Sequence, residues 1–148
     1  MHKNSVIEIS QEAHKNNINF LKKTFGKKVI LSSVVKGNAY GHGLKEFTTM
    51  AYANGVRHFS VFDVEEAKVV FDNLGNKVEI LIMGFVADDD LEWVITNQIE
   101  FFVFERYRLA KASKVAKRLN IKAIIHIEIE TGMNLTGFKI SEISKVAP

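Results

Sequence analysis

The sequence predicts a parallel α/β fold, and three observations carry that reading. Five apolar runs, at residues 29–35, 57–62, 78–83, 99–104 and 121–129, read as strands. Helical patterns at 44–54, 64–74, 88–97 and 105–119 separate them. The runs recur roughly every 20–30 residues, the interval expected of consecutive right-handed βαβ units. They are apolar nearly throughout, as parallel strands covered on both faces must be.

A helix at 11–25 precedes the first strand, with Ser10 as its N-cap. Gly26, Gly55 and Gly75 stand just past helix ends, where a left-handed residue is expected. Asp63 leads into a helix that begins Val64-Glu65-Glu66, which puts acid at the positive end of the helix dipole. Asp88-Asp89-Asp90 opens the next helix in the same way and reads as a dipole partner, not a magnesium cluster. Phe101, Phe102, Phe104 and Tyr107 suit packing around the fourth strand. The last stretch, residues 140–148, reads as a helix just under way.

Two architectures fit this order, an open doubly wound sheet or part of a (β/α)₈ barrel. A full barrel needs eight units and about 250 residues, whereas 148 residues supply about five strands. The simplest account is the amino-terminal portion, about five βα units, of a longer TIM barrel. The only proline is Pro148 and no linker composition interrupts the chain, so residues 1–148 are read as one partial domain.

Composition narrows the function classes. A 47% hydrophobic content supports a buried core. A net charge of +3, with acids and bases interspersed, gives no case for nucleic acid. The start Met1-His2-Lys3-Asn4-Ser5 has no apolar signal core, and no run is long enough to span a membrane. The absence of cysteine excludes disulfides and thiolate metal sites. A cytoplasmic protein is the expectation.

The segment Ser33-Val34-Val35-Lys36-Gly37-Asn38-Ala39-Tyr40-Gly41-His42-Gly43 places one lysine where the first strand runs into a loop with three glycines. The carboxyl end of a parallel strand is where ligands bind in such folds. Backed by Ile30, Leu31, Val34 and Val35, Lys36 is expected to be desolvated, which makes its amine a nucleophile toward a carbonyl. Tyr40 could give its hydroxyl to a phosphate, and the glycines would let backbone N–H groups approach it. On placement alone, a lysine after a strand is more often a solvated loop residue.

The run from Val35 to Gly43 resembles the pyridoxal-phosphate signature of the alanine racemases, which usually carry alanine where Gly37 stands. That resemblance implies Lys36 as the Schiff-base lysine and Tyr40 as a contact of the cofactor phosphate. It also implies a barrel followed by a β domain absent from these residues.

The fifth strand supplies a second constellation. Period-2 alternation puts His126, Glu128 and Glu130 on one face and Ile125, Ile127 and Ile129 on the other. A solvated edge face and a functional face both account for it, and a metal site on this spacing alone is poorly supported. His42 and His58 read as loop and strand-end polar residues. The stretch His126 to Gly137 is similar to the racemases at His126, Thr131, Gly132, Met133 and Gly137. By that resemblance Glu128 takes the place of a lysine that many members carry as a carbamate. Its carboxylate is expected to be paired inside the barrel mouth. Leu135 falls where the family usually has an arginine.

The implied activity is a pyridoxal-phosphate-dependent amino-acid racemase, alanine racemase first, with a small amino acid as substrate and Lys36 moving the α-proton on one face. The base for the other face, by analogy a tyrosine of a partner's β domain, is not in the chain, so these residues alone are expected to be inactive or weakly active. Two alternatives stand beside this reading. One is a cofactor-homeostasis barrel that binds pyridoxal phosphate without racemising, and the other is an inactive half-barrel. Bare sheet edges imply either self-association into a homo-oligomer or completion by a longer chain.

Overall fold

A computed structural model describes residues 5–146. The readings placed on Met1–Asn4, Ala147 and Pro148 lie outside the described residues. The elements run α1 (Gln11–Phe25), β1 (Ser32–Val34), α2 (Lys36–Tyr40), α3 (Leu44–Ala53), β2 (His58–Val61) and α4 (Val64–Leu74). They continue as β3 (Glu79–Ile82), α5 (Leu91–Thr96), β4 (Glu100–Val103), α6 (Arg106–Leu119) and β5 (Ile125–Ile127). The strand order is β1-β2-β3-β4-β5, the order that successive βαβ units produce.

The chain divides into two units. The first holds residues up to Val61 together with Glu65–Ile80, and the second holds Phe62–Val64 with the residues from Leu81 onward.

In the first unit, α1 starts where Ser10 Oγ accepts the Ala13 N–H at 3.1 Å, as the sequence predicts. It ends at Gly26, whose φ is 79° and whose N–H returns to the Lys22 carbonyl. Lys22 Nζ donates to the Gly55 carbonyl at 2.7 Å, tying α1 to the loop after α3. Asn73 of α4 donates to Thr48 and Thr49 of α3. β1 and β2 pair in parallel through Ser32↔His58, Ser33↔Phe59 and Val34↔Ser60. Val35, Ala51, Phe59, Val61, Ala67 and Val70 are fully buried.

In the second unit the end of β3 (Leu81 and Ile82), β4 and β5 pair in parallel, with Ile82↔Phe101 and Phe101↔Ile125 in register. Ile82, Leu91, Val94, Phe101 and Val103 form its fully buried core. α6 closes at Asn120, which takes the left-handed C-cap with φ 53°.

Four elements depart from the sequence reading. The first strand is shorter than 29–35, and Val29 and Ile30 are 55% and 71% exposed. The fifth is shorter than 121–129. Both stand at ends of the strand order, and an edge strand has hydrogen-bond partners on one side only. Residues 88–97 begin as a 3₁₀ turn over Asp88–Asp90 before α5 starts. Ile140–Lys145 is likewise 3₁₀, not α-helical.

A cation cluster around Asp88 was not legible in the sequence. Arg108, 2% exposed, donates from Nη1 to Asp88 at 2.7 Å and lies 4.3 Å above the Phe85 ring. Lys111 and Tyr107 reach the other carboxylate oxygen at 2.8 and 2.9 Å. The Lys111 hydrogen bond, followed by those of Tyr107 and Arg108, lowers the Asp88 pKa from 3.8 to about 2 against a smaller desolvation effect. A depressed carboxyl pKa stabilises the folded state above the unfolded value, and that stabilisation is lost as pH falls through the folded value. Asp88→Asn is therefore expected to flatten the fall of the thermal midpoint between about pH 4 and pH 2. An acid limb unchanged by the substitution would refute this role.

Candidate functional site

Val35 anchors the site. It is fully buried, and its N–H donates to the Ser60 carbonyl of β2 at 2.8 Å. Lys36 follows at once and is exposed. The expected desolvation of Lys36 is not found. Of the four residues expected to back it, only Val35 is buried, while Ile30 and Val34 are 71% and 41% exposed. The physical reason is the position of β1 at one end of the strand order, where no further described strand covers its flank.

The residues after Lys36 form a turn of left-handed helix, which the sequence reading missed. Gly37, Asn38 and Ala39 have φ/ψ of 63°/46°, 55°/47° and 53°/47°, and Tyr40 has φ 54°. For L-residues this hand costs about 1–2 kcal/mol each, with asparagine the most tolerant. Gly37 supplies one such position freely; Ala39 and Tyr40 must be held there by other contacts.

Those contacts are visible. The Ala39 N–H donates to the Val35 carbonyl at 2.8 Å, and its methyl is buried. The Gly41 and Gly43 N–H groups both reach the Asn38 carbonyl at 3.1 Å. Asn38 Oδ1 accepts the Leu44 N–H at 2.7 Å, and the Asn38 N–H donates to Glu66 Oε1 at 3.0 Å. His42 Nδ1 lies 2.6 Å from the Ala39 carbonyl, so that nitrogen carries the proton and donates. Lys36 and Tyr40 thus stand at the two ends of one five-residue turn, Tyr40 being 64% exposed.

His58, read from sequence as a strand-end residue, opens β2 and is buried. Its Nδ1 lies 2.7 Å from Ser32 Oγ, which lies 2.6 Å from Ser60 Oγ. This buried polar chain links β1 to β2, and cross-strand side-chain pairs are the unit of sheet stabilisation.

In the second unit, His126, Glu128 and Glu130 do not share one continuous strand face, because β5 ends at Ile127. Each has its own partner. His126 Nε2 pairs with Glu100 of β4 at 2.5 Å. Glu128 is half-buried and accepts the Thr136 hydroxyl at 2.7 Å. Glu130 turns into its own loop, accepting the N–H groups of Gly132 and Leu135. Those amides, Gly132 foremost, lower its pKa.

The loop closes where Ile129 bridges Phe138 and the Phe138 N–H returns to the Glu128 carbonyl at 2.9 Å. Gly137 sits there with φ 115°, and a Cβ would lie 2.6 Å from the Glu130 nitrogen, so only glycine fits. Met133 and Leu135 are 85% and 79% exposed at the loop tip.

The first unit thus holds a strand-end lysine and a tyrosine one turn apart; the second, taken by itself, holds a carboxylate, Glu128, paired to Thr136. The family model "Alanine racemase, N-terminal domain" matches residues 9–148. The chain belongs to this family. An alanine racemase of Methanococcus maripaludis is 33% identical over 131 residues, covering 88% of this chain and 35% of that protein. A histidine racemase from Leuconostoc mesenteroides superimposes with TM-score 0.82 and 25% identity, covering 99% of this chain and 41% of that one. An alanine racemase from Bartonella henselae with covalently bound pyridoxal phosphate gives TM-score 0.80 and 27% identity over 93% of this chain and 38% of its own length. The fold is therefore the amino-terminal part of the family's TIM barrel, and the chain spans about a third of the relatives' length. No helix among the described residues is long and apolar enough to cross a membrane.

Proposed function

We propose that the chain is the cofactor-binding part of a pyridoxal-phosphate-dependent amino-acid racemase that interconverts L- and D-alanine. The observation that carries this reading is the left-handed turn, which sets an accessible amine and an accessible phenol at its two ends, Lys36 and Tyr40. An amine suits an aldehyde and a phenol suits a phosphate, so the donor set fits pyridoxal phosphate. The Bartonella henselae relative with covalently bound cofactor supports the same reading.

Lys36 would hold the cofactor through Nζ, and its free amine would move the substrate α-proton on one face. Tyr40 would offer its hydroxyl to the phosphate. Glu128, oriented by Thr136, supplies the negative charge that a carbamylated lysine gives other members. The bound cofactor supplies the electron sink that makes the α-proton labile. The acid–base group for the opposite face is expected from a β domain of the kind that follows the barrel in the family, so the 148 residues alone racemise weakly or not at all. Leu135, 79% exposed and with a side chain that cannot donate, favours a second reading in which the chain binds the cofactor without racemising.

Borohydride reduction of the chain incubated with pyridoxal phosphate tests the assignment. The stable adduct is expected on the peptide that contains Lys36. An adduct confined to other lysines refutes it.

The exposed apolar side chains of the first unit, among them Phe20, Phe25, Val29 and Ile30, are read as surface to be covered by a second copy or by further chain. Sedimentation across a concentration series is expected to show association of the 148-residue chain. A monomer at every concentration overturns that expectation.

A further inference from the structure

The turn that carries Lys36 is gripped from a different helix. Glu66 stands in the first turn of α4, and its Oε1 accepts the Asn38 N–H at 3.0 Å. Asn38 itself is bound on two further sides, through Oδ1 to the Leu44 amide at the start of α3 and through its carbonyl to Gly41 and Gly43. Asn38 is the second of five successive residues with positive φ, Gly37 to Gly41, so the bonds at this residue bear on the hand of the turn. A right-handed turn in its place would redirect the chain between Lys36 and Tyr40.

We propose that Glu66 is a positioning residue for Lys36. Through the Asn38 amide it fixes the left-handed turn, and so sets the direction from which the Lys36 amine meets an aldehyde. The proposal rests on the cofactor reading of Lys36. Glu66 touches neither the cofactor nor the substrate in this role; its effect passes through the backbone.

Three variants of the 148-residue chain separate this role from a general contribution to α4. Glu66→Ala removes the acceptor and the first-turn charge. Glu66→Gln removes the charge but keeps a carbonyl oxygen for Asn38. Glu65→Ala removes the neighbouring first-turn charge and leaves the Asn38 bond in place. The readouts are amide hydrogen exchange at Asn38 and Ala39, and the yield of borohydride-trapped pyridoxal phosphate on Lys36 relative to exposed Lys23.

Glu66→Ala is expected to speed exchange at Asn38 and Ala39 by about tenfold or more, and to lower trapping on Lys36 several-fold while Lys23 is unchanged. Glu66→Gln and Glu65→Ala are expected to behave as the parent. Unchanged Asn38 exchange in Glu66→Ala overturns the proposal. So does faster exchange throughout the chain, shared by Glu65→Ala, or local loosening that leaves Lys36 trapping intact. Failure of the unsubstituted chain to trap cofactor on Lys36 instead overturns the cofactor reading, and the exchange data then decide by themselves whether Glu66 holds the turn.

Discussion

Lys36→Ala is expected to abolish covalent capture of pyridoxal phosphate at residue 36 and, in a polypeptide that racemises alanine, to lower the rate by at least about 10²–10⁴-fold. That is the usual contribution of a positioned acid–base group, before the loss of the covalent anchor is added. Lys36→Arg tests the same point with the charge retained. A guanidinium does not act as an amine nucleophile or surrender its proton near neutral pH, so the arginine variant is expected to be as inactive as the alanine one. The α-proton of alanine reports the step directly, because its exchange with deuterated solvent needs only one face. Exchange that continues at the parent rate in both variants, with cofactor trapped on another lysine, would remove Lys36 from the mechanism. The left-handed turn makes this a sharp test. Neither substitution changes the backbone between Gly37 and Gly41, so a loss of capture is chemical and not a loss of fold.

Phe101→Ala is expected to have the largest effect on stability, about 3–5 kcal/mol by the usual cost of emptying a buried phenylalanine site. Phe101 is fully buried at the centre of β4, registered against Ile82 on one side and Ile125 on the other. Its neighbour Phe102 is only half-buried, so Phe102→Ala is expected to cost clearly less. Chemical denaturation separates the two by their midpoints. Equal midpoints would mean that the burial pattern of β4 does not govern the stability of the second unit.

Much of the local structure was legible in the residues. The limits of α1 and α4 agree with the sequence reading, and Ser10 caps α1 as its side chain suggests. Such signals are local: a capping oxygen and the amide it accepts are three residues apart. The strands were legible as apolar runs but not in length, because pairing depends on which neighbours a strand acquires. The strand alternation that grouped His126, Glu128 and Glu130 fails beyond Ile127, where Glu130 is drawn into a loop by amides that follow it.

The motif itself placed Lys36 at a strand end and Tyr40 four residues on, and apolar patterning alone determined a parallel α/β chain of about five units. Three features were decided only by tertiary structure. Lys36 is exposed, as are Ile30 and Val34, which were expected to back it. Arg108 is buried because Asp88 and Phe85, about twenty residues earlier in sequence, close over its guanidinium. The left-handed Lys36 turn is tied to a partner distant in sequence, since Glu66, 28 residues away from Asn38, accepts its amide. Periodicity and capping act within a few residues and can be read along a chain. Burial and backbone hand here depend on partners that only folding brings near, and at a single position no local pattern encodes them.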